Sequence, residues 1–256
     1  MERSIAIIGL GQLGELFARG FLRCGHPVVP VMRHLDPEAV AAKYDNPALV
    51  LVAVGERDLP PLLAGMPAPW RDRVGLLQNE LLPPYWQAHG IRQPTTLVVW
   101  FEKKPHSHLR VLRPTEIHGP ASGLCCKALE ALELPCATLS SRGDRLRALV
   151  LKNVTILTMN IAGLDVGGTL GALWNEHRAL TERVAREAIA VQAGLAGEPL
   201  EAEELIAELG RVFSANPDQN ATGRSAPERL DRARAQAKGL NIPTPELDRI
   251  HDQHNA

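Results

Sequence analysis

The chain of 256 residues carries a formal net charge of −1, with 45% hydrophobic and 22% charged residues. That balance fits one large or two modest globular domains and points away from nucleic acid and from an anionic membrane surface as partners. Cys24, Cys125, Cys126 and Cys136 match no metal-ligand spacing and read as buried or idle thiols in a reducing cytoplasm, and no metal is expected.

Residues 4–8 are a β-branched run that predicts a strand. Residues 12–23 follow with Leu13, Leu16, Phe17 and Phe21 at helical spacing, and Gly25-His26-Pro27 ends that helix. A second strand is expected over 28–32. Residues 49–54 are continuously apolar, as in a strand buried on both faces. Further strands are expected over 74–77, 96–101 and 109–112, a helix over 122–132 and a last strand over 137–139. This alternation predicts an α/β fold with a Rossmann-like, doubly wound, mostly parallel sheet. The apolar stretch from Ile5 to Leu10 runs into a glycine-rich turn, unlike a secretion signal, and no apolar run is expected to span a membrane.

From about Asp144 the strand signals stop and helical patterns take over at 145–162, 169–193, 200–212 and 227–238. The polar segment 214–227 reads as a loop. Turn chemistry in Ser140-Ser141-Arg142-Gly143-Asp144 marks the boundary, giving a domain at 1–143 and an all-helical domain at 144–256.

Gly9-Leu10-Gly11-Gln12-Leu13-Gly14 places G-x-G-x-x-G at a strand-to-helix turn. Gly9 permits the tight turn, Gly11 lets the backbone approach a pyrophosphate, and Gly14 lets the helix pack close to the strand. The helix N-terminus then offers N–H groups and a positive dipole end to the phosphates. An NAD site normally ends its second strand with an acid that bonds the ribose 2′-hydroxyl. Here Val31-Met32-Arg33-His34 has none before Asp36. Arg33 can pair with a 2′-phosphate through its planar fork of donors, so NADP(H) is the expected cofactor.

The glycine motif with Arg33 at the end of the second strand resembles the ketopantoate reductase (2-dehydropantoate 2-reductase) family. Gln78-Asn79 resembles that family's Gln-Asn-Gly beside the nicotinamide. Thr115-Glu-Ile-His-Gly119-Pro120 is similar to its turn before the last helix of the first domain. Residues 149–162 resemble the first helix of its second domain, with Lys152 and Asn160 at the expected positions, and Lys238-Gly239 through Pro243 is similar to its C-terminal signature. The resemblance implies reduction of a small 2-keto acid by NADPH, with Lys152 as the acid on the carbonyl oxygen. It also implies that Asn79 and Asn160 hold the substrate, that Asn79 touches the cofactor, and that the partners are a small-molecule substrate and a second copy in a homodimer.

The sequence departs from the family in four places. A lysine after the third strand is replaced by Gly55-Glu56-Arg57, an asparagine by Ile156, the glycine of Gln-Asn-Gly by Glu80, and a Thr-Glu-x-Asp motif is reduced to Ser225 through Asp231 around Glu228. These losses predict weak turnover of ketopantoate itself. A non-catalytic NADP-binding protein and an imine-reductase-like Rossmann enzyme stay open as alternatives.

Residues 149–161 are apolar nearly all round, so their helix is expected to be buried. A lysine inside it either snorkels to solvent or serves proton transfer. Lys103 and Lys104 read as an exposed turn, or as a replacement for the charge lost at Gly55. His106, His108 and His118 lack a metal-binding spacing.

Overall fold

The computed structural model describes residues 2–102 and 109–255. The chain divides into two compact units, Met1–Ala148 and Leu149–Ala256.

The first unit begins with β1 (Ile5–Ile8), α1 (Gln12–Arg23), β2 (Val28–Val31), α2 (Pro37–Lys43), β3 (Leu49–Val52), α3 (Leu59–Ala64), β4 (Val74–Leu76) and α4 (Pro83–Gln87). It continues with β5 (Thr95–Val98), β6 (Phe101–Glu102), β7 (Arg110–Val111), β8 (Thr115–His118), α5 (Ser122–Glu130) and β9 (Cys136–Thr138). Seven strands form one sheet in the order β2-β1-β3-β4-β5-β8-β9, with β6 and β7 a separate hairpin. β1 to β5 are parallel and β8 runs antiparallel to β5, so the sheet is mostly parallel, as the alternation of elements predicts. Every residue of β1 and β3 is buried, as expected where both faces of a sheet are covered. On one face Ile5, Ile7, Leu49, Leu51 and Ile117 pack in one core with Phe17 and Phe21 of α1 and with Cys125 and Leu129 of α5.

Several boundaries differ from the sequence expectation. The run 96–101 is not one strand. β5 ends at Val98, and the chain resumes as β6, paired with β7 through Phe101 and Val111. Residues 115–118 form a strand rather than a turn. Their alternating burial is the half-buried strand pattern, too short to stand out in the sequence. Lys103, Lys104, His106 and His108 lie outside the described residues.

The cysteine reading is also corrected. Cys126 and Cys136 form a disulfide joining α5 to β9, because packing the helix on the strand brings their Cα atoms to 5.9 Å. Cys125 stays a thiol, and burial pushes its pKa up to about 12.

α6 (Arg142–Val166) leads into the second unit, which continues with α7 (Leu170–Asn175), α8 (Arg178–Ala196), α9 (Ala202–Ala215), α10 (Ala226–Gly239) and α11 (Pro245–His254). The predicted helix over 169–193 is two helices. Thr169 caps α7 through its hydroxyl, which accepts from the Ala172 N–H, and the chain breaks at Glu176-His177 before α8. By length and composition alone α6 is long and apolar enough to cross a membrane. Its apolar window is 78% buried, which is the condition of a core helix. Otherwise β1 to β4, α1, α5, α6, α9 and α10 coincide within a few residues with the segments that the hydrophobic pattern predicts, whereas α2, α3, α4 and α11 were not anticipated.

Candidate functional site

The sheet order reverses between β1 and β3, and this switch point is where doubly wound sheets open a crevice at the strands' C-terminal ends. Gly9 leaves β1 with φ +92°, and an added Cβ would stand 2.9 Å from the Ala53 carbonyl oxygen. Gly14 lies so close under this turn that a Cβ would be 2.1 Å from the Gly9 oxygen. Both positions therefore require glycine for packing. Gly11 is different, since a Cβ there would meet nothing within 4 Å. No side chain caps α1 at Gly11, which leaves the helix's first turn for a ligand to satisfy.

A cavity of about 750 Å³ opens over these ends. Gly9, Leu10 and Gly11 form one wall, Met32, Arg33 and Leu35 a second, and Gly55 and Asp58 a third. Gln12, Leu13 and Gly14 do not line it; they form the first turn of α1. Arg33 reaches across the mouth, where its Nη2 donates to Asp58 Oδ2 at 3.1 Å. Asp36, the first acid after β2, is used elsewhere, because its carboxylate accepts from the Glu38 N–H and caps α2.

One strand further along, the buried Gln78 side chain ties the end of β4 to the exit of β3. Its Nε2 donates to the Val52 and Val54 carbonyls at 2.8 and 3.1 Å. This tie presents Asn79, whose Nδ2 donates to Glu56 Oε1 at 3.2 Å. Glu80 then adopts φ +63°, a conformation that glycine takes more readily than a residue with a side chain.

In the second unit, Lys152 is half-buried on α6. Asn160 is buried at 3% exposure. Its Nδ2 donates to the Ile156 carbonyl at 2.8 Å, while its Oδ1 is buried without a hydrogen-bond partner among the described residues, 3.7 Å from where a Cβ on Gly223 would lie. Thus the structure gathers Gly9, Leu10, Gly11 and Arg33 around one cavity. Asn79 lies outside its lining, and Asn160 turns its amide nitrogen back onto its own helix.

Two residues near the crevice escaped the sequence reading as site residues, Glu56 and Asp58. Both lie in the single turn Glu56–Asp58 after β3. Charges just past a strand's C-terminal end, where such sheets bind ligands, were the available signal.

Fold and cavity together define a Rossmann-like, doubly wound α/β unit with an open crevice, followed by a helical unit. Among solved structures, that architecture is shared with the ketopantoate reductases. The Ralstonia eutropha ketopantoate reductase superposes with TM-score 0.70 at 18% identity, over 98% of this chain and 97% of that one. The dimeric ketopantoate reductase of Staphylococcus aureus superposes with TM-score 0.66 at 17% identity, over 98% and 97%. A D-mandelate dehydrogenase, solved with NADH and anilino(oxo)acetate, gives TM-score 0.68 at 14% identity, also over 98% and 97%. This chain therefore has the ketopantoate reductase fold over nearly its whole length. No family model and no curated protein matches the sequence itself.

Proposed function

We propose that this chain is an NADP(H)-dependent oxidoreductase that reduces a small carbonyl compound of the 2-keto acid type, with Lys152 as proton donor. The observation that carries the reading is the cavity that joins the glycine turn to Arg33 at the switch point of this fold. The residues present fit a dinucleotide. Gly11 leaves open space where a side chain would stand, α1 starts without a side-chain cap, and a cation lies at the end of β2.

When bound, the nicotinamide supplies the hydride. The chain's own residues do the rest. The backbone of Gly9 to Gly11 admits the pyrophosphate and Arg33 pairs with the 2′-phosphate. Asn79 and Asn160 hold the substrate, the Asn160 carbonyl oxygen being a buried acceptor without a donor. Lys152 holds the proton that neutralises charge developing on the carbonyl oxygen. A homodimer is the proposed assembly, supported by the dimeric Staphylococcus aureus protein.

Fluorescence titration with NADPH and NADH tests the cofactor. NADPH binds more tightly, and Arg33→Ala costs about 1.5–3 kcal/mol of NADPH affinity, as for a hydrogen bond to a charged group. Equal affinities, unmoved by Arg33→Ala, overturn the NADP assignment. A screen of 2-keto acids, ketopantoate among them, and of imines with NADPH then finds the substrate. On that substrate Lys152→Met lowers kcat by about 100-fold with NADPH affinity unchanged. Full activity of that variant removes Lys152 from the chemistry. The capture of the Asn79 amide by Glu56 favours, as a second reading, a protein that binds the dinucleotide without turnover. Absence of turnover across the screen, with binding intact, selects it.

A further inference from the structure

We propose that Asp58 sets the cofactor preference of this site by competing with the ribose 2′-phosphate for Arg33. The inference rests on reading the cavity as the seat of a dinucleotide's adenosine ribose. Of the described residues that line the cavity, only Arg33 and Asp58 carry full charges, and they are bonded to each other at 3.1 Å. They come from different strand exits. Arg33 follows β2 and Asp58 closes the turn Glu56–Asp58 after β3, so the pair bridges the two sides of the crevice. The Arg33 side chain is 92% exposed and that of Asp58 57% exposed, so little packing holds the guanidinium in place besides this carboxylate.

The consequence is electrostatic. With one cation and one anion among its described lining residues, the cavity offers a phosphate no net charge from that pair. A 2′-phosphate, as a monoester, carries close to two negative charges at neutral pH. To receive it, Arg33 must turn its fork away from Asp58 or share it, and the carboxylate stays nearby as a like charge. A ribose diol meets the opposite situation. Asp58 can accept a hydrogen bond from the 2′-hydroxyl, performing from the exit of β3 the role that an acid at the end of β2 performs in NAD sites. Arg33 alone thus selects NADPH, and Asp58 draws the selection back toward NADH.

The size of the effect follows from exposure. Unit charges roughly 4 Å apart in a water-like dielectric change an equilibrium constant about fivefold, and nearly two charges on the phosphate raise this to about tenfold or somewhat more after salt screening. The test is titration of wild type and Asp58→Asn with NADPH and NADH, repeated with 2′,5′-ADP and 5′-AMP, which probe the ribose end alone. Asp58→Asn tightens NADPH and 2′,5′-ADP about tenfold, leaves NADH and 5′-AMP unchanged or weaker, and loses most of its gain in high salt. A wild type that binds both dinucleotides, with a preference that Asp58→Asn does not move, overturns the role of Asp58 and leaves the cofactor reading standing. A wild type that binds neither dinucleotide overturns the cofactor reading and this proposal with it.

Discussion

The cavity of the first unit and helix α6 of the second treat polar residues in opposite ways. Around the cavity the charges are exposed, with Arg33 and Asp58 held by one bond at 3.1 Å. Along α6 several polar side chains are buried and bonded within the protein. Asn153 donates to Gln192 Oε1 at 2.8 Å, Thr155 to the Leu151 carbonyl at 2.7 Å and Asn160 to the Ile156 carbonyl at 2.8 Å. An exposed ion pair contributes little to stability, whereas a buried polar group left without its partner costs its desolvation in full. Charges at the cavity are thus free to be tuned for a ligand, while these neutral polar groups on α6 are constrained by folding first.

The largest expected effect separates two glycines of one motif. Gly14→Ala drives a methyl into the Gly9 carbonyl and lowers stability by about 3 kcal/mol, read from the urea midpoint. Gly11→Ala, with open space at its Cβ, leaves the midpoint within about 0.5 kcal/mol and weakens dinucleotide binding instead. Equal midpoints for the two variants would show that α1 does not pack against the turn as described.

The comparison itself is tested next. Asn153→Ala strands the Gln192 carbonyl oxygen in the core and costs about 2 kcal/mol. Arg33→Ala breaks a bond between exposed side chains and costs less than about 0.5 kcal/mol of stability. Chemical denaturation measures both, and a costlier Arg33 variant would reverse the contrast.

His118 is an intermediate case and gives the smallest effect. Burial, then the guanidinium groups of Arg145 and Arg142, hold its imidazole below the usual range, with Asp144 opposing them. Its Nδ1 is buried without a hydrogen-bond partner among the described residues. Because the folded pKa is lowered, the unfolded chain takes up the proton first. The stability contributed by neutral His118 is present above the unfolded value near 6.5 and is lost as pH falls from there toward the folded value. His118→Asn therefore flattens the fall in Tm between about pH 7.5 and 5.5 relative to wild type. Parallel curves would show that His118 does not titrate differently on folding.

By itself the sequence determined the parallel core, the glycine turn, Arg33 and the helical second half. Each is written in local terms, as a continuous apolar run, a spacing of glycines, or a period of 3.6 residues. β8, the split of α7 from α8 and the end of β5 at Val98 were not legible, because short elements take their conformation from neighbours rather than from their own pattern. The same limit applied to the cysteines. Only the packing of α5 on β9 brings Cys126 to Cys136, and nothing in a ten-residue separation requires it. It applied most to the site. Arg33 and Asp58 stand 25 residues apart and Glu56 and Asn79 stand 23 apart, and parallel strands with long crossovers place such residues side by side. The sequence could therefore name the cation at the cavity, but only the tertiary structure could show the carboxylate that already holds it.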